Sequence, residues 1–175
     1  MIWLEKALSD FHEGKFVLDP TKEDVHMNVE SYVIEGAGAE FGGKLHTARS
    51  RNDQVLTDTR LYSREQILII CSNLVVLCKA FLNIATKHTT TVMPGYTHTQ
   101  HAQPISLGFW ATAYISMFLR DFKRLFSAFE TTNTNPLGAG ALSGTNLPID
   151  RSFTTELLGF QSTHQHALDV ISSRD

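Results

Sequence analysis

The sequence predicts a mainly α-helical chain built around two long helices. Three observations carry this. Apolar residues recur at helical spacing over most of the 175 residues. Helix-start and helix-stop residues bracket those stretches. No alternating apolar and polar pattern of the kind that marks a half-buried strand stands out.

Trp3, Leu4, Ala7, Leu8 and Phe11 mark a short amphipathic helix that ends at Gly14. Pro20-Thr21-Lys22-Glu23-Asp24 reads as the next start, with Thr21 as N-cap and Asp24 as its capping-box partner. Val25, Val29, Tyr32 and Val33 form its buried stripe, and Gly36-Ala37-Gly38 ends it. Gly42-Gly43-Lys44-Leu45-His46-Thr47 is expected to be a loop. The longest element follows, with Ser50 as cap, Asp53 three residues on, and an apolar stripe from Val55 to Ala85 that ends near Lys87. That is roughly 35 residues, or about 50 Å at 1.5 Å per residue.

A polar stretch rich in Thr and His, His88 to Pro104, is expected to be a loop. From Ile105 to about Thr131 a second long helix carries Trp110, Tyr114, Phe118, Phe122, Leu125, Phe126 and Phe129 over much of its circumference. A helix apolar on so many sides is normally buried in a bundle, so either the chain oligomerises through these helices or part of its bundle is missing, and both are expected. A connection rich in Gly, Asn and Pro, Asn133 to Pro148, leads to a short helix capped by Asp150 and stopped at Gly159. Gln161 to Asp175 reads as loop.

Composition narrows the function classes. The chain is 42% hydrophobic and 19% charged, which suits a folded protein rather than a disordered one. A net charge of -3 gives no reason to expect nucleic acid or an anionic membrane as partner. The longest apolar run, Ile67 to Cys78, is broken by Ser72 and Asn73, so no membrane span is expected. Met1-Ile2-Trp3-Leu4-Glu5-Lys6 lacks the basic and apolar regions of a signal peptide. Cys71 and Cys78 lie seven apart on one helix, about 10 Å along its axis, which fits reduced core thiols rather than a disulfide.

Three polar segments interrupt the apolar pattern at the ends of the long helices. Ser50-Arg51-Asn52-Asp53-Gln54, preceded by Lys44, His46 and Arg49, sets free helix N–H groups beside positive charge, which suits a carboxylate or phosphate. A capped helix next to a solvated basic loop would look the same. In Pro94-Gly95-Tyr96-Thr97-His98-Thr99-Gln100-His101-Ala102-Gln103-Pro104, donors and acceptors are denser than a connection needs, and His98 or His101 could move a proton at neutral pH. His98 and His101 form H-x-x-H, but neither a cysteine nor a nearby acidic residue completes a zinc ligand set, so no metal is expected. Gly138 to Thr145 is glycine-rich without a preceding strand, which argues against a dinucleotide loop and for a tight connection near another backbone.

In combination these segments resemble argininosuccinate lyases. Glu23-Asp24-Val25-His26, the run from Gly43 to Val55, Pro94 to Pro104, Leu137 to Thr145 followed by Pro148-Ile149-Asp150-Arg151, and Leu168 to Asp175 occur in that family's order. The resemblance spans about Thr21 to Asp175 and implies part of the long-helix bundle of the fumarase/aspartase-like fold. Residues 1–49 would be the C-terminal part of a small helical domain, and 50–175 the first part of the central bundle. The implied reaction is reversible β-elimination of L-argininosuccinate to L-arginine and fumarate, in the cytoplasm, without a cofactor. By resemblance, Asn52 and Thr97 bind substrate, Ser50 and Arg51 line the same wall, His98 belongs to the proton-transfer apparatus, and His26 matches a further active-site histidine. The family assembles each site from three subunits of a homotetramer. Its G-S-S-x-M-P-Q-K-K-N-P segment, with the proton-abstracting serine, does not occur in these 175 residues, and its N-terminal W-G-G-R-F region is missing as well. His166 stands where the family usually has a substrate-contacting asparagine. These departures imply a fragment inactive by itself. A structural remnant resembling a crystallin, or a relative releasing fumarate from another substrate, are the alternatives.

Overall fold

The computed structural model describes residues 1–174. Its elements are α1 (Ile2–His12), α2 (Val25–Ala37), α3 (Ala39–Gly42), a 3-10 turn (Gly43–His46), α4 (Arg51–Lys87), β1 (Val92–Thr97), β2 (Gln100–Ser106), α5 (Leu107–Thr132), β3 (Thr134–Asn135), α6 (Arg151–Leu157), β4 (Ser162–Thr163) and α7 (Ala167–Ser172). Helices dominate, as the periodicity predicts.

The frame is the antiparallel pair α4 and α5. Gly108, in the first turn of α5, lies so close to the end of α4 that an added Cβ would sit 2.8 Å from the Ala85 carbonyl oxygen. A side chain there would push the helices apart. At the other end, Arg60 of α4 reaches past the end of α5 and donates to the Thr134 carbonyl at 2.9 Å. Between these points Phe81 packs against Trp110, Tyr114 and Phe118, with ring centroids 6.2, 5.6 and 5.6 Å away. Such aromatic pairs add about 0.5–1.5 kcal/mol each beyond area burial.

Large parts of both helices remain uncovered. Leu68, Ile69, Ile70, Val75, Val76, Leu77 and Leu82 of α4, and Phe109, Met117, Leu119 and Phe126 of α5, are exposed. This matches the expectation that the long helices carry more apolar surface than the chain can bury. The apolar run is longer than the sequence reading allowed, a measure that the core helix of a soluble protein also meets. An 18-residue window of α4 has a mean hydropathy of 2.2, enough by length and composition alone to cross a membrane. Ser72 and Asn73 interrupt the apolar run without lowering the window average below that level. Cys71 is buried and Cys78 half-buried, both as free thiols.

Several local expectations are met. Ser50 and Asp53 form a reciprocal capping box at the start of α4. Asp150 caps α6 by accepting from Ser152 and Phe153 N–H, and Gly159 (φ 65°) follows its end. Others need correction. Asp24, not Thr21, caps α2, its carboxylate accepting from Met27 N–H at 2.7 Å. Thr21 is held instead by Asp19, whose Oδ1 accepts from both the Thr21 N–H and its hydroxyl. The stretch expected as loop from Gly42 to Thr47 lies largely in α3 and the 3-10 turn.

The largest correction is the polar stretch before α5, which forms an antiparallel hairpin of β1 and β2. Its two prolines argue against a strand by sequence. They are tolerated because both strands are edges and Pro94 faces Pro104 across the ladder, so the missing N–H groups coincide. The C-terminal stretch read as loop contains β4, which pairs in parallel with β3, and α7. The resemblance at Asp175 lies outside the described residues.

Candidate functional site

The predicted residues fall into two groups. The first surrounds the N-terminus of α4. Ser50 Oγ accepts from Asn52 N–H at 3.2 Å, and the first turn is thereby capped. Arg51 pairs through Nε with Asp24 at 2.6 Å and donates from Nη1 to Gln54 Oε1 at 2.5 Å. This ion pair fastens the start of α2 to the start of α4. His26, in the first turn of α2, sets Nε2 3.5 Å from Asp58 Oδ2. Burial pushes the Asp58 carboxyl above the ordinary carboxylate range, against the opposing pull of His26, Arg49 and Arg51. Asn52 is exposed, and its Nδ2 donates to the Ala141 carbonyl at 2.9 Å.

A cleft of about 490 Å³ opens here, lined among others by Glu30, His46, Arg49, Ser50 and Arg51. Within it His46 Nδ1 lies 2.8 Å from Glu30 Oε2, and Arg49 Nη2 lies 3.9 Å from the same oxygen. The Arg49 Nε is buried without a hydrogen-bond partner. Desolvation, the largest influence on Arg49, lowers its pKa, with Glu30 opposing. The guanidinium still stays charged at neutral pH. The wall thus carries cationic side chains next to a helix N-terminus, together with the carboxylates of Glu23 and Glu30.

The second group sits on the hairpin. Thr97 ends β1, and His98 and Thr99 make the turn with φ of 48° and 60°. Two successive non-glycine residues in the left-handed region are uncommon, and such strain concentrates at functional sites. The turn lifts His98 to the tip, exposed. Below it, Tyr96 Oη and His101 Nε2 lie 3.2 Å apart across the strands, with ring centroids at 4.9 Å. His101 therefore braces the hairpin beside His98 rather than sharing an open ligand site with it.

One chain does not bring the two groups together. The 37 residues of α4 separate Ser50 from the hairpin, a span of about 55 Å at 1.5 Å per residue. Six residues of β1 reach only about 20 Å, so even a hairpin folded fully back leaves more than about 30 Å. Ser50, Arg51, Asn52 and His26 share one end of the molecule, and Thr97 and His98 the other.

Sequence reading under-weighted two groups at the first end. Asp53 was legible as a cap but is also fully buried, its Oδ2 accepting from Gly138 and Gly140 N–H. The Ala141 carbonyl gave no signal, since a backbone acceptor has no residue type. His166, aligned with the family's asparagine, caps α7 by accepting from Asp169 N–H at 3.3 Å.

A long two-helix frame with a polar cluster at each end is the architecture of a helical-bundle protein. The chain belongs to the lyase family, whose sequence profile matches residues 2–175. Among curated relatives it is 48% identical over 172 residues to the argininosuccinate lyase of Desulforamulus reducens, and 49% identical over 172 residues to that of Alkaliphilus metalliredigens. Each alignment covers 98% of this chain and 37% of the relative, so the chain spans little more than a third of their length. Among solved structures it is similar to an EDDS lyase in complex with formate, with TM-score 0.83 and 27% identity over 96% of this chain and 32% of the other. A fumarate lyase:delta crystallin from Brucella melitensis shares the fold, with TM-score 0.73 at 20% identity over 97% of this chain and 43% of that one.

Proposed function

We propose that these 175 residues are the N-terminal and early central segment of an argininosuccinate lyase, which reversibly eliminates fumarate from L-argininosuccinate to leave L-arginine. The observation that carries this reading is the pair of half-sites at opposite ends of α4, built from the motifs that resemble that family. The 46–49% identities to argininosuccinate lyases favour this substrate over that of the EDDS lyase, at 27%.

In this reading residues 1–49 close a small helical domain, and 50–175 open the central bundle. Elimination removes a proton next to a carboxylate while the guanidinium nitrogen leaves with another. Negative charge builds on the succinyl carboxylate, and donors already fixed in place stabilise it without reorganising. Asn52, Ser50 and Arg51 provide such donors, with His26 beside them on α2. Thr97 adds a hydroxyl, and His98, on an exposed tip, takes part in proton transfer from a neighbouring copy. The two half-sites meet only between subunits, which supports a homo-oligomer, a tetramer by family resemblance. The enzyme is placed in the cytoplasm.

The test follows fumarate by its ultraviolet absorbance. A full-length protein carrying this segment should release fumarate from argininosuccinate and not from adenylosuccinate. The 175 residues alone, without the G-S-S-x-M-P segment, should release none. Preference for the nucleotide substrate would sink the substrate assignment, and turnover by the short chain would sink the claim that it is half a site.

A further inference from the structure

We propose that Asp53 is a positioning residue that sets the orientation of the Asn52 carboxamide through the glycine-rich loop 137–145, an inference that rests on reading Asn52 as a ligand-binding group. Asp53 is 0% exposed and touches no part of the open cleft surface. Its Oδ1 accepts from Ser50 N–H at 3.1 Å, while Oδ2 accepts from Gly138 N–H at 2.9 Å and Gly140 N–H at 2.8 Å. A single carboxylate thus joins the cap of α4 to a loop some 85 residues away in the chain.

The loop is shaped for this. Gly138 and Gly140 have φ of 90° and 67°, which turns their N–H groups toward one point. An added Cβ on Gly140 would lie 2.8 Å from the Gly144 carbonyl oxygen, and Gly144 N–H donates to Ala139 O at 2.7 Å, so the loop closes tightly on itself. Its far side is held by Arg151, whose Nε donates to Leu137 O at 3.0 Å. Between the Asp53 anchor and the Gly144 closure sits Ala141, whose carbonyl accepts from Asn52 Nδ2 at 2.9 Å. That bond uses one amide hydrogen. The other hydrogen and Oδ1 are left in a fixed direction for a ligand.

A carboxylate is the group the geometry requires. It accepts at both oxygens, whereas an amide in its place must turn an NH2 toward an N–H donor. If Asp53 served only as a helix cap, its loss would loosen the first turn of α4 and leave the Gly138 and Gly140 amides as they are. If it positions Asn52, the Asn52 amide must change with it.

The experiment is NMR on the 15N-labelled full chain, with Asp53→Asn, and needs no substrate. In the unsubstituted chain one proton of the Asn52 side-chain NH2 should be shifted from its free-amide position and exchange slowly with solvent, the signature of one bonded hydrogen. In Asp53→Asn the exchange of the Gly138 and Gly140 amides should rise by about tenfold or more. The Asn52 resonances should collapse to free-amide values at unchanged helix content. If the variant does not fold, Gly140→Ala displaces the loop while leaving Asp53 in place and should produce the same loss at Asn52. A free-amide signature in the unsubstituted chain, or an Asn52 signature that survives either substitution in a folded protein, overturns the proposal. Because no turnover is measured, failure of the lyase reading would leave this result untouched, and failure here would leave Asn52 available as a ligand group.

Discussion

The separation of the half-sites makes a quantitative prediction about mixed subunits. Take a full-length protein carrying this segment and prepare Asn52→Ala and His98→Ala separately. Losing a preorganised donor costs about 10²- to 10³-fold, and losing a proton-transfer group about 10²- to 10⁴-fold, so each variant alone should be nearly inactive. More than about 30 Å divides Asn52 from His98 within a chain, as α4 alone spans about 55 Å. On the proposed reading every site takes its α4 N-terminus from one subunit and its hairpin tip from another. After dissociation and re-association of a 1:1 mixture, each half is intact with a probability of about one half. About one quarter of wild-type fumarate release should return, provided the copies assemble symmetrically. A second mixture checks the same logic. Wild type with the double variant Asn52→Ala/His98→Ala should retain about one quarter of full activity if two subunits build the site, and about one half if one chain does. No recovery in the first mixture, or one half in the second, would refute the separation argument.

Three further outcomes can be measured on the chain itself. Ser50→Ala removes the cap of α4 and should cost about 1 kcal/mol in urea unfolding; no change would mean that the capping box is dispensable. Phe81→Ala removes the ring that Trp110, Tyr114 and Phe118 share. With Phe81 half-buried, the cost should be about 2 kcal/mol for the isolated chain, below the 3–5 kcal/mol of a fully buried ring, and should rise at concentrations where copies associate. A cost independent of concentration would mean that association leaves this face uncovered. Burial, reinforced by Arg60 and opposed by Asp169, lowers the His164 pKa below 6.5. The unfolded chain then takes up this proton first, so Tm should fall as pH drops from about 6.5 towards the folded-state pKa, and stay flat above about 6.5. His164→Gln should flatten that slope, and an unchanged slope would assign it to other groups.

The sequence was most legible where a side chain acts on its own backbone. Ser50 with Asp53, Asp150 and Gly159 bound their helices as expected, because capping is decided within a few residues. Thr21 misled because Asp19, two residues earlier, competes for the same hydroxyl, a contest that the capping pattern does not include. The hairpin was missed because its prolines oppose each other, a fact about register rather than composition. The motif residues Ser50, Arg51, Asn52, Thr97 and His98 were visible by type and order. Their distribution over two ends of the molecule follows from α4 being continuous, and the bond from Asn52 to Ala141 spans 89 residues that no local pattern connects.

The length and the bareness of α4 are parts of one solution. A site that needs donors from a helix start and a histidine from a hairpin tip can be made within one chain only if the two are neighbours. Here they are held apart by a rigid spacer of 37 residues. The spacer is worth having only if another copy fills the gap, and a copy can do so only if the spacer offers it a surface. On the proposed reading the exposed Leu68, Ile69, Ile70, Val75, Val76 and Leu77 would provide that surface along the middle of α4, between its two ends. Antiparallel packing of two such helices would set the start of one against the end of the other, which is the direction that joins Asn52 to His98. Burying the apolar stripe would then stabilise the assembly and align the chemistry in the same step. A polar substitution at Val76, 63% exposed in the single chain, should accordingly weaken oligomerisation and fumarate release together. Activity that persists in a dissociated Val76→Glu protein would break this link.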